Sequence, residues 1–200
     1  MDFLFPRECL ICASRGEFLC QKCKAELPRF RTQKANGIDG VTAIYQYSDE
    51  RVRSLIEEVK FKFNDSLIKD LWIGDINIPE VDLVVPIPLH WTRQNWRVFN
   101  QEEKIAQEVR GQSSEIKVEK ILVRQKMTKQ QAKLDKKERR LNIRDAFRLN
   151  GQWRIDNGKL RGKRILLVDD VYTTGESMRE AGRVLKKAGV KSVWGLVLAR

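Results

Sequence analysis

The sequence predicts an α/β domain in which a parallel sheet is flanked by helices, preceded by a short cysteine-rich module. Two continuous apolar runs, "VDLVVPIP" at residues 81–88 and "ILLV" at residues 165–168, are typical of strands buried on both faces of a parallel sheet. Segments with helical spacing of apolar residues alternate with these strands, and this alternation predicts strand–helix–strand units. All four cysteines lie within residues 9–23, which separates that segment from the rest of the chain.

The composition is that of a chain with one good core. The chain has 200 residues, 42% of them hydrophobic, which is enough for one domain with a small appendage. No apolar run approaches the ~20 residues of a membrane span, and the start "MDFLFPREC" lacks the pattern of a signal peptide. We therefore expect no membrane span and a cytoplasmic location. The net charge of +12 indicates an anionic partner such as phosphate, nucleotide or nucleic acid.

The cysteines form two C-x-x-C pairs separated by seven residues. They are Cys9, Cys12, Cys20 and Cys23. Each pair can place two thiolates on one ion, and two pairs complete the closed tetrahedral site that structural zinc prefers. An iron–sulfur cluster and free or redox-active thiols are the alternatives. We expect metal loss to unfold this module and to leave the following domain folded, because that domain has its own core.

The chain divides into three parts at the level of sequence. Residues 1–27 are predicted to be the metal-binding module, residues 28–40 a polar linker or arm, and residues 41–200 the main domain. A strand is predicted over residues 41–48, and Asp49 is suited to cap the helix that follows it. Further strands are predicted over residues 81–88, 116–123, 165–170 and 192–199. Helices are predicted over residues 65–75, from about residue 100 to 110, and from about residue 176 to 188.

The stretch "ILLVDDVYTTGESM" predicts a ligand site. Asp169 and Asp170 end a buried strand, and ligands of open α/β sheets bind outside the carboxyl ends of the strands. The hydroxyls and the glycine that follow lie at the mouth of a helix, where backbone N–H groups can hold a phosphate. These residues are Thr173, Thr174, Gly175 and Ser177. A phosphate at one end and hydroxyls or a metal at the carboxylates together favour a sugar phosphate as the ligand.

Two motifs carry a family resemblance. "VDDVYTTGES" resembles the motif with which type I phosphoribosyltransferases bind phosphoribosyl pyrophosphate (PRPP). "VPIPLHWTRQNWRVFNQ", at residues 85–101, resembles a stretch of the ComF family of competence-associated proteins, which also carry an N-terminal four-cysteine module. The resemblance implies a type I phosphoribosyltransferase fold over residues 41–200. It also implies that Asp169 and Asp170 face the ribose as the catalytic pair, and that the hydroxyl loop holds the 5-phosphate.

The resemblance also implies how the pyrophosphate end would be held. Arg93 and Arg97 would be its ligands, a task that suits the planar fork of arginine. Val98 stands where the family has glycine, and valine follows a positive φ poorly. A basic flap at about residues 124–148 holds ten Lys or Arg and three Asp or Glu, a net charge of +7. Its central cations are Lys136, Lys137, Arg139 and Arg140. They suit either closure over the pyrophosphate or the backbone of nucleic acid.

Two functions stay open within this family. In both, the protein binds PRPP and takes part in DNA uptake during natural transformation. In the first, the protein is a phosphoribosyltransferase that moves the phosphoribosyl group to an acceptor and releases pyrophosphate, with Mg²⁺ bridging pyrophosphate and ribose oxygens. In the second, it is a non-catalytic PRPP sensor or scaffold of the DNA-import machinery that meets a helicase or single-stranded DNA. The sequence identifies no residues that read a base, so it does not predict the acceptor.

Overall fold

The structure, a computed structural model, describes residues 7–30, 32–61, 66–74, 76–89, 101–111, 116–126, 143–155 and 157–200. The strands are β1 (Gln33–Ala35), β2 (Ile38–Tyr45), β3 (Leu83–Pro86), β4 (Lys117–Val118), β5 (Leu122–Arg124), β6 (Phe147–Leu149), β7 (Arg164–Val171) and β8 (Ser192–Ala199). The helices are α1 (Gln21–Glu26), α2 (Glu50–Phe61), α3 (Ser66–Leu71), α4 (Gln101–Gly111), α5 (Gly151–Ile155) and α6 (Glu176–Lys187), and a 3₁₀ turn spans Asn157–Leu160.

The main sheet has six strands in the order β1-β2-β8-β7-β3-β4. Only the β1–β2 pair is antiparallel, and the other four pairs are parallel. The apolar runs of β7 and β8 lie side by side in the middle of this sheet, with Leu167 opposite Gly195. The predicted α/β fold with a parallel sheet is thus confirmed.

Helices cover both faces of the main sheet, because its central strands bury side chains on both sides. One core joins Leu166, Val168 and Leu196 to α2, α3 and α4. The second core joins Ile165, Leu167 and other alternate residues of the same strands to α6. Successive residues of β7 point alternately into the two cores, which explains why its sequence is apolar without interruption. Among the described residues, no helix has both the length and the apolar character needed to cross a lipid bilayer.

Local signals set the helix that follows β2. The Asp49 carboxylate accepts hydrogen bonds from the backbone N–H groups of Arg51 at 2.9 Å and Val52 at 3.3 Å, so it caps α2 as predicted. The apolar stripe of α2 consists of Val52, Leu55, Ile56 and Val59, all of which are buried.

The cysteine-rich module packs directly onto the main domain. Leu19 and Leu27 are fully buried in the same core as α2 and α3. The Asp70 carboxylate on α3 accepts a 2.9 Å hydrogen bond from the Phe18 N–H, and the Lys24 ammonium donates to the Trp72 carbonyl. The expectation that the domain stays folded without the module stays a prediction, because the module supplies part of the first core but none of the second.

Two segments differ from the predicted elements. Part of the predicted linker at residues 28–40 lies in the main sheet, because β1 and the first residues of β2 form a hairpin there. The single strand predicted over residues 116–123 is two strands in different sheets: β4 extends the main sheet, and β5 pairs with β6. Ile121, fully buried between them, belongs to the second core. The division of the chain into three parts stays a prediction.

Candidate functional site

The carboxyl ends of β3 and β7 meet at one edge of the sheet. Pro86, the last residue of β3, is paired with Val168, one residue before the two aspartates. Asp170 is buried and Asp169 is half-buried. The two carboxylates that the sequence singled out therefore lie at the edge where open α/β sheets bind their ligands.

The loop after β7 has the features of an anion cradle. Gly175 is the N-cap of α6 with φ of +73° and, as a glycine, makes no side-chain cap hydrogen bond. Backbone N–H groups at a helix N-terminus and the helix dipole favour an anion. The Thr174 hydroxyl is buried and has no hydrogen-bond partner among the residues described. Thr173 is exposed and Ser177 is half-buried, both on the same short stretch.

The ring of Tyr172 supports this loop from below. A Cβ on Gly175 would lie 2.1 Å from the Tyr172 Oη and 2.2 Å from its Cζ, so only glycine leaves room for the ring. The Arg200 guanidinium lies over two aromatic rings. Its Cζ is 4.6 Å from the centroid of the Tyr172 ring and 5.5 Å from that of the Phe30 ring. The Tyr172 N–H donates to the Ala199 carbonyl at 2.9 Å. The loop therefore stands on a packed aromatic support.

Sequence reasoning missed two charged residues at the site. The Lys60 ammonium, from the last turn of α2, lies 3.2 Å from the Asp170 carboxylate. Glu102, from the first turn of α4, is buried, and its carboxylate lies within 4.8 Å of those of Asp169 and Asp170. Both residues occupy positions on the apolar faces of their helices, since Lys60 follows Ile56 by four residues and Glu102 precedes Ala106 by four. A charge on an apolar stripe was the signal that could have found them.

Burial and charge set the ionisation of these groups. Burial and the negative charge of Asp170 together raise the pKa of Asp169 to about 7. A 2.9 Å hydrogen bond from the Asp170 N–H to Asp169 Oδ1 opposes it, as do the positive charges of Lys60 and Arg124. Burial acts to lower the pKa of Lys60, but the carboxylates of Asp170 and Asp169 outweigh it and raise that pKa. The site thus holds a charged lysine and a carboxyl group close to its midpoint at neutral pH.

The predicted pyrophosphate ligands and the central cations of the flap lie outside the described residues, and so does Val98. These are Arg93, Arg97, Lys136, Lys137, Arg139 and Arg140. The two ends of the flap are described. Arg124 at the end of β5 pairs with Phe147 at the start of β6, and its guanidinium lies 5.4 Å from that ring.

The four cysteines of the module converge on one point. Their sulfur atoms all lie within 4.8 Å of one another. The Cys12 and Cys20 sulfurs are 3.7 Å apart, close to the ~3.8 Å edge of a tetrahedron with zinc–sulfur bonds of about 2.3 Å. Burial and the neighbouring cysteines raise the pKa of Cys23 well above its usual range. Four thiols this close cannot all ionise without a cation, so the cluster fits a metal ion.

The sequence matches the family described as phosphoribosyl transferase domain over residues 99–200, about half of the chain. Competence protein F of Haemophilus influenzae is 29% identical over 200 residues, which cover 90% of this chain and 84% of that protein. Competence protein ComFC of Bacillus subtilis is 30% identical over 191 residues, with 91% and 72% covered. DNA utilization protein YhgH of Escherichia coli K12 is 30% identical over 120 residues, with 60% and 49% covered.

Two solved structures of longer chains align with part of this chain. A glutamine phosphoribosylpyrophosphate amidotransferase from B. subtilis, complexed with ADP and GMP, is 19% identical with a TM-score of 0.42, over 66% of this chain and 25% of that chain. The allosteric regulatory enzyme of purine biosynthesis is 16% identical with a TM-score of 0.40, over 73% and 25%. The match of residues 99–200 and the two competence proteins show that the chain belongs to the ComF family and carries a domain of the phosphoribosyltransferase family.

Proposed function

We propose that this protein binds PRPP, together with Mg²⁺, at the carboxyl edge of β7 and takes part in DNA uptake. One observation carries the proposal: a buried hydroxyl without a partner among the described residues, that of Thr174, lies beside the N-terminus of a 12-residue helix and four residues after a carboxylate pair. An unsatisfied buried hydroxyl costs stability, and a bound phosphate would satisfy it.

Each part of the ligand has a matching group in the site. The 5-phosphate would lie in the cradle of Thr173, Thr174, Gly175 and Ser177. The ribose hydroxyls would donate to Asp169 and Asp170. Mg²⁺ would enter with PRPP and be coordinated largely by its oxygens, as is usual for this ion. Arg93 and Arg97 would hold the pyrophosphate.

Phosphoribosyl transfer would break the bond between ribose C1 and the pyrophosphate and form one to an acceptor. The residues of this chain would hold the ribose, neutralise the leaving group and exclude water. Non-catalytic sensing of PRPP is the alternative. The two differ in one measurement, the release of pyrophosphate when a candidate acceptor is added to the protein with PRPP.

The variant Thr174→Val tests the ligand site. It replaces the hydroxyl with a methyl of similar size, so the empty protein should melt at the same or a higher temperature. Binding of ribose 5-phosphate and of Mg²⁺–PRPP should weaken about tenfold to a hundredfold, since a bond to a charged acceptor is lost. Thr32→Val is the matched control, because it makes the same change outside the proposed cradle. The Thr32 hydroxyl, just before β1, is hydrogen-bonded at 2.8 Å to the hydroxyl of Thr42 on β2. Equal binding by wild type and Thr174→Val in calorimetry would remove the support for the phosphate cradle.

The metal centre of the module is proposed to hold one structural zinc ion. Four sulfur ligands within 4.8 Å of one another, two of them 3.7 Å apart, favour a closed four-sulfur site. The packing of Leu19 and Leu27 into the main core suggests that the ion stabilises the whole fold.

The role in DNA uptake is supported by the relatives, whose names refer to competence and DNA utilization. The net charge of +12 suits a nucleic-acid partner. We propose that the basic flap contacts single-stranded DNA through its phosphates, next to a helicase of the import machinery. Affinity for single strands should then fall steeply with salt and depend little on sequence.

A matched pair of fourfold variants tests the DNA contact. Neutralising the central cations of the flap should lower the salt slope by up to about 3, at ~0.7 per phosphate contact. The residues to change are Lys136, Lys137, Arg139 and Arg140. The control removes four exposed cations at the amino edge of the sheet and should leave most of the slope in place. These are Arg161, Lys163, Lys187 and Lys191. Equal slopes for wild type and the flap variant would leave the flap with the pyrophosphate role alone.

A further inference from the structure

Lys60 is a charged residue at a position where a purely structural role would favour an apolar side chain. It lies on the apolar face of α2, and its side chain is 21% exposed, beside the Asp170 side chain at 12%. The Lys186–Asp39 pair is more exposed, at 40% and 39%, and the cation of the Arg179–Glu176 pair is slightly more exposed, at 28%. Burying an ammonium group is costly, and an apolar residue at such a position is often as stable or more stable. A lysine here therefore calls for a role at the site.

The end of α2 is fixed in place by α4. The Gln101 side-chain amide donates a 3.3 Å hydrogen bond to the Val59 carbonyl, and Gln101 is fully buried. Val59 itself is fully buried in the core beneath the site. This contact holds the backbone next to Lys60, so the ammonium group approaches the aspartates from a rigid element.

The surroundings of the ammonium group are acidic. Glu102, Asp169 and Asp170 lie within 4.8 Å of one another, close enough to share one cation. Lys60 places a positive charge 3.2 Å from Asp170, and the charge of Arg124 also acts on Asp169. Without Lys60, three neighbouring carboxylates would repel one another, and Asp170 would have reason to turn away or take up a proton.

We propose that Lys60 is a positioning residue, whose ammonium group holds the Asp170 carboxylate in the orientation that receives the ribose hydroxyls. This inference rests on the proposed PRPP site. Lys60 acts through Asp170, so its contribution to ligand binding should exist only while Asp170 carries a carboxylate.

A double-mutant cycle tests this dependence. Mg²⁺–PRPP binding is measured by calorimetry for wild type, Lys60→Met, Asp170→Asn and the double variant. Lys60→Met alone should weaken binding about tenfold to a hundredfold, comparable to the loss of a charged hydrogen bond. In the Asp170→Asn background, the same change should alter the dissociation constant by less than about threefold, because coupled residues are not additive.

Two further variants separate positioning from a general effect on the fold. Lys60→Arg keeps the charge and should recover most of the affinity, which a purely structural defect would not show. Lys69→Met, an exposed lysine on the neighbouring helix α3, is the matched control and should bind as wild type does. If Lys60→Met does not fold, Lys60→Ala takes its place in the cycle, since alanine has neither a charge nor a group that can donate to Asp170.

The outcomes distinguish the two proposals. A wild type that does not bind PRPP overturns the proposed function and, with it, the role of Lys60. If wild type binds and Lys60→Met, or Lys60→Ala in its place, binds equally well, the role of Lys60 alone is overturned. Losses that simply add in the double variant also overturn it, since they would place Lys60 on the ligand itself. A tenfold or greater loss that disappears in the Asp170→Asn background supports it.

Discussion

Replacing Gly175 with alanine should destabilise the protein through two separable effects. The first is conformational, because an L-residue at φ of +73° costs about 1 kcal/mol. The second is steric, because the new Cβ would lie 2.1 Å from Oη and 2.2 Å from Cζ of Tyr172. That ring is buried and lies under the Arg200 guanidinium at 4.6 Å, so it cannot simply swing away. Overpacking of this kind adds about 2 kcal/mol.

Gly162 provides the matched control for this experiment. It has φ of +76°, but nothing lies within 4 Å of its would-be Cβ, so Gly162→Ala carries the conformational cost alone. At ~3 °C per kcal/mol for a chain of this size, Gly162→Ala should lower the melting temperature by about 3 °C and Gly175→Ala by about 9 °C. The displaced loop should also bind ribose 5-phosphate more weakly in Gly175→Ala.

A second change isolates the ring. In a Tyr172→Ala background the steric effect has no source, so Gly175→Ala should cost only about 1 kcal/mol there. Thermal melts of the single and double variants, each without ligand, measure this difference. Equal melting temperatures for Gly175→Ala and Gly162→Ala would show that the ring does not support the loop.

Three further predictions concern metal and pH. Elemental analysis should find one zinc per chain. Cys20→Ser should lower the melting temperature of the whole protein. Unfolding confined to the first 27 residues would contradict the shared core. Because the pKa of Asp169 is raised to about 7 in the folded state, the empty protein should lose stability as pH rises from about 4 to 7, and melts of Asp169→Asn should lack that decline. Hydrogen bonds from Arg164 lower the pKa of Asp82 to about 2. This pair should therefore stabilise the fold above pH ~4 and lose that effect as the pH falls toward 2. In Asp82→Asn, the melting temperature should depend less on pH over that acidic range.

Much of the fold could be predicted because its signals are local. The strand predicted over residues 192–199 has those bounds in the structure, since it is a mostly apolar run that follows a helix ending near a glycine. The capping of α2 by Asp49 is equally local. The hairpin of β1 and β2 could not be predicted in the same way, because residues 33–35 are polar and become a strand only through pairing with β2.

The site was predictable in part for a related reason. Asp169, Asp170 and the hydroxyl loop are contiguous in the sequence, so their spacing alone predicts a ligand site. Lys60 and Glu102 come from two helices far away in the chain, and their distances to Asp170 depend on how those helices cross the sheet. Their presence on apolar stripes was visible in the sequence, but no local rule says which strand end a buried charge will meet.

The place of β8 in the sheet has a consequence for folding of the protein. It lies between β2 and β7 and is hydrogen-bonded to both, although β2 stands far from it in the chain. Until residues 192–199 are in place, β2 and β7 are exposed as unpaired edges, and these edges can pair with other chains. Closing the sheet therefore depends on contacts between distant parts of the chain, which slows folding. Removing residues 192–199 should yield aggregates rather than a weakened binding protein.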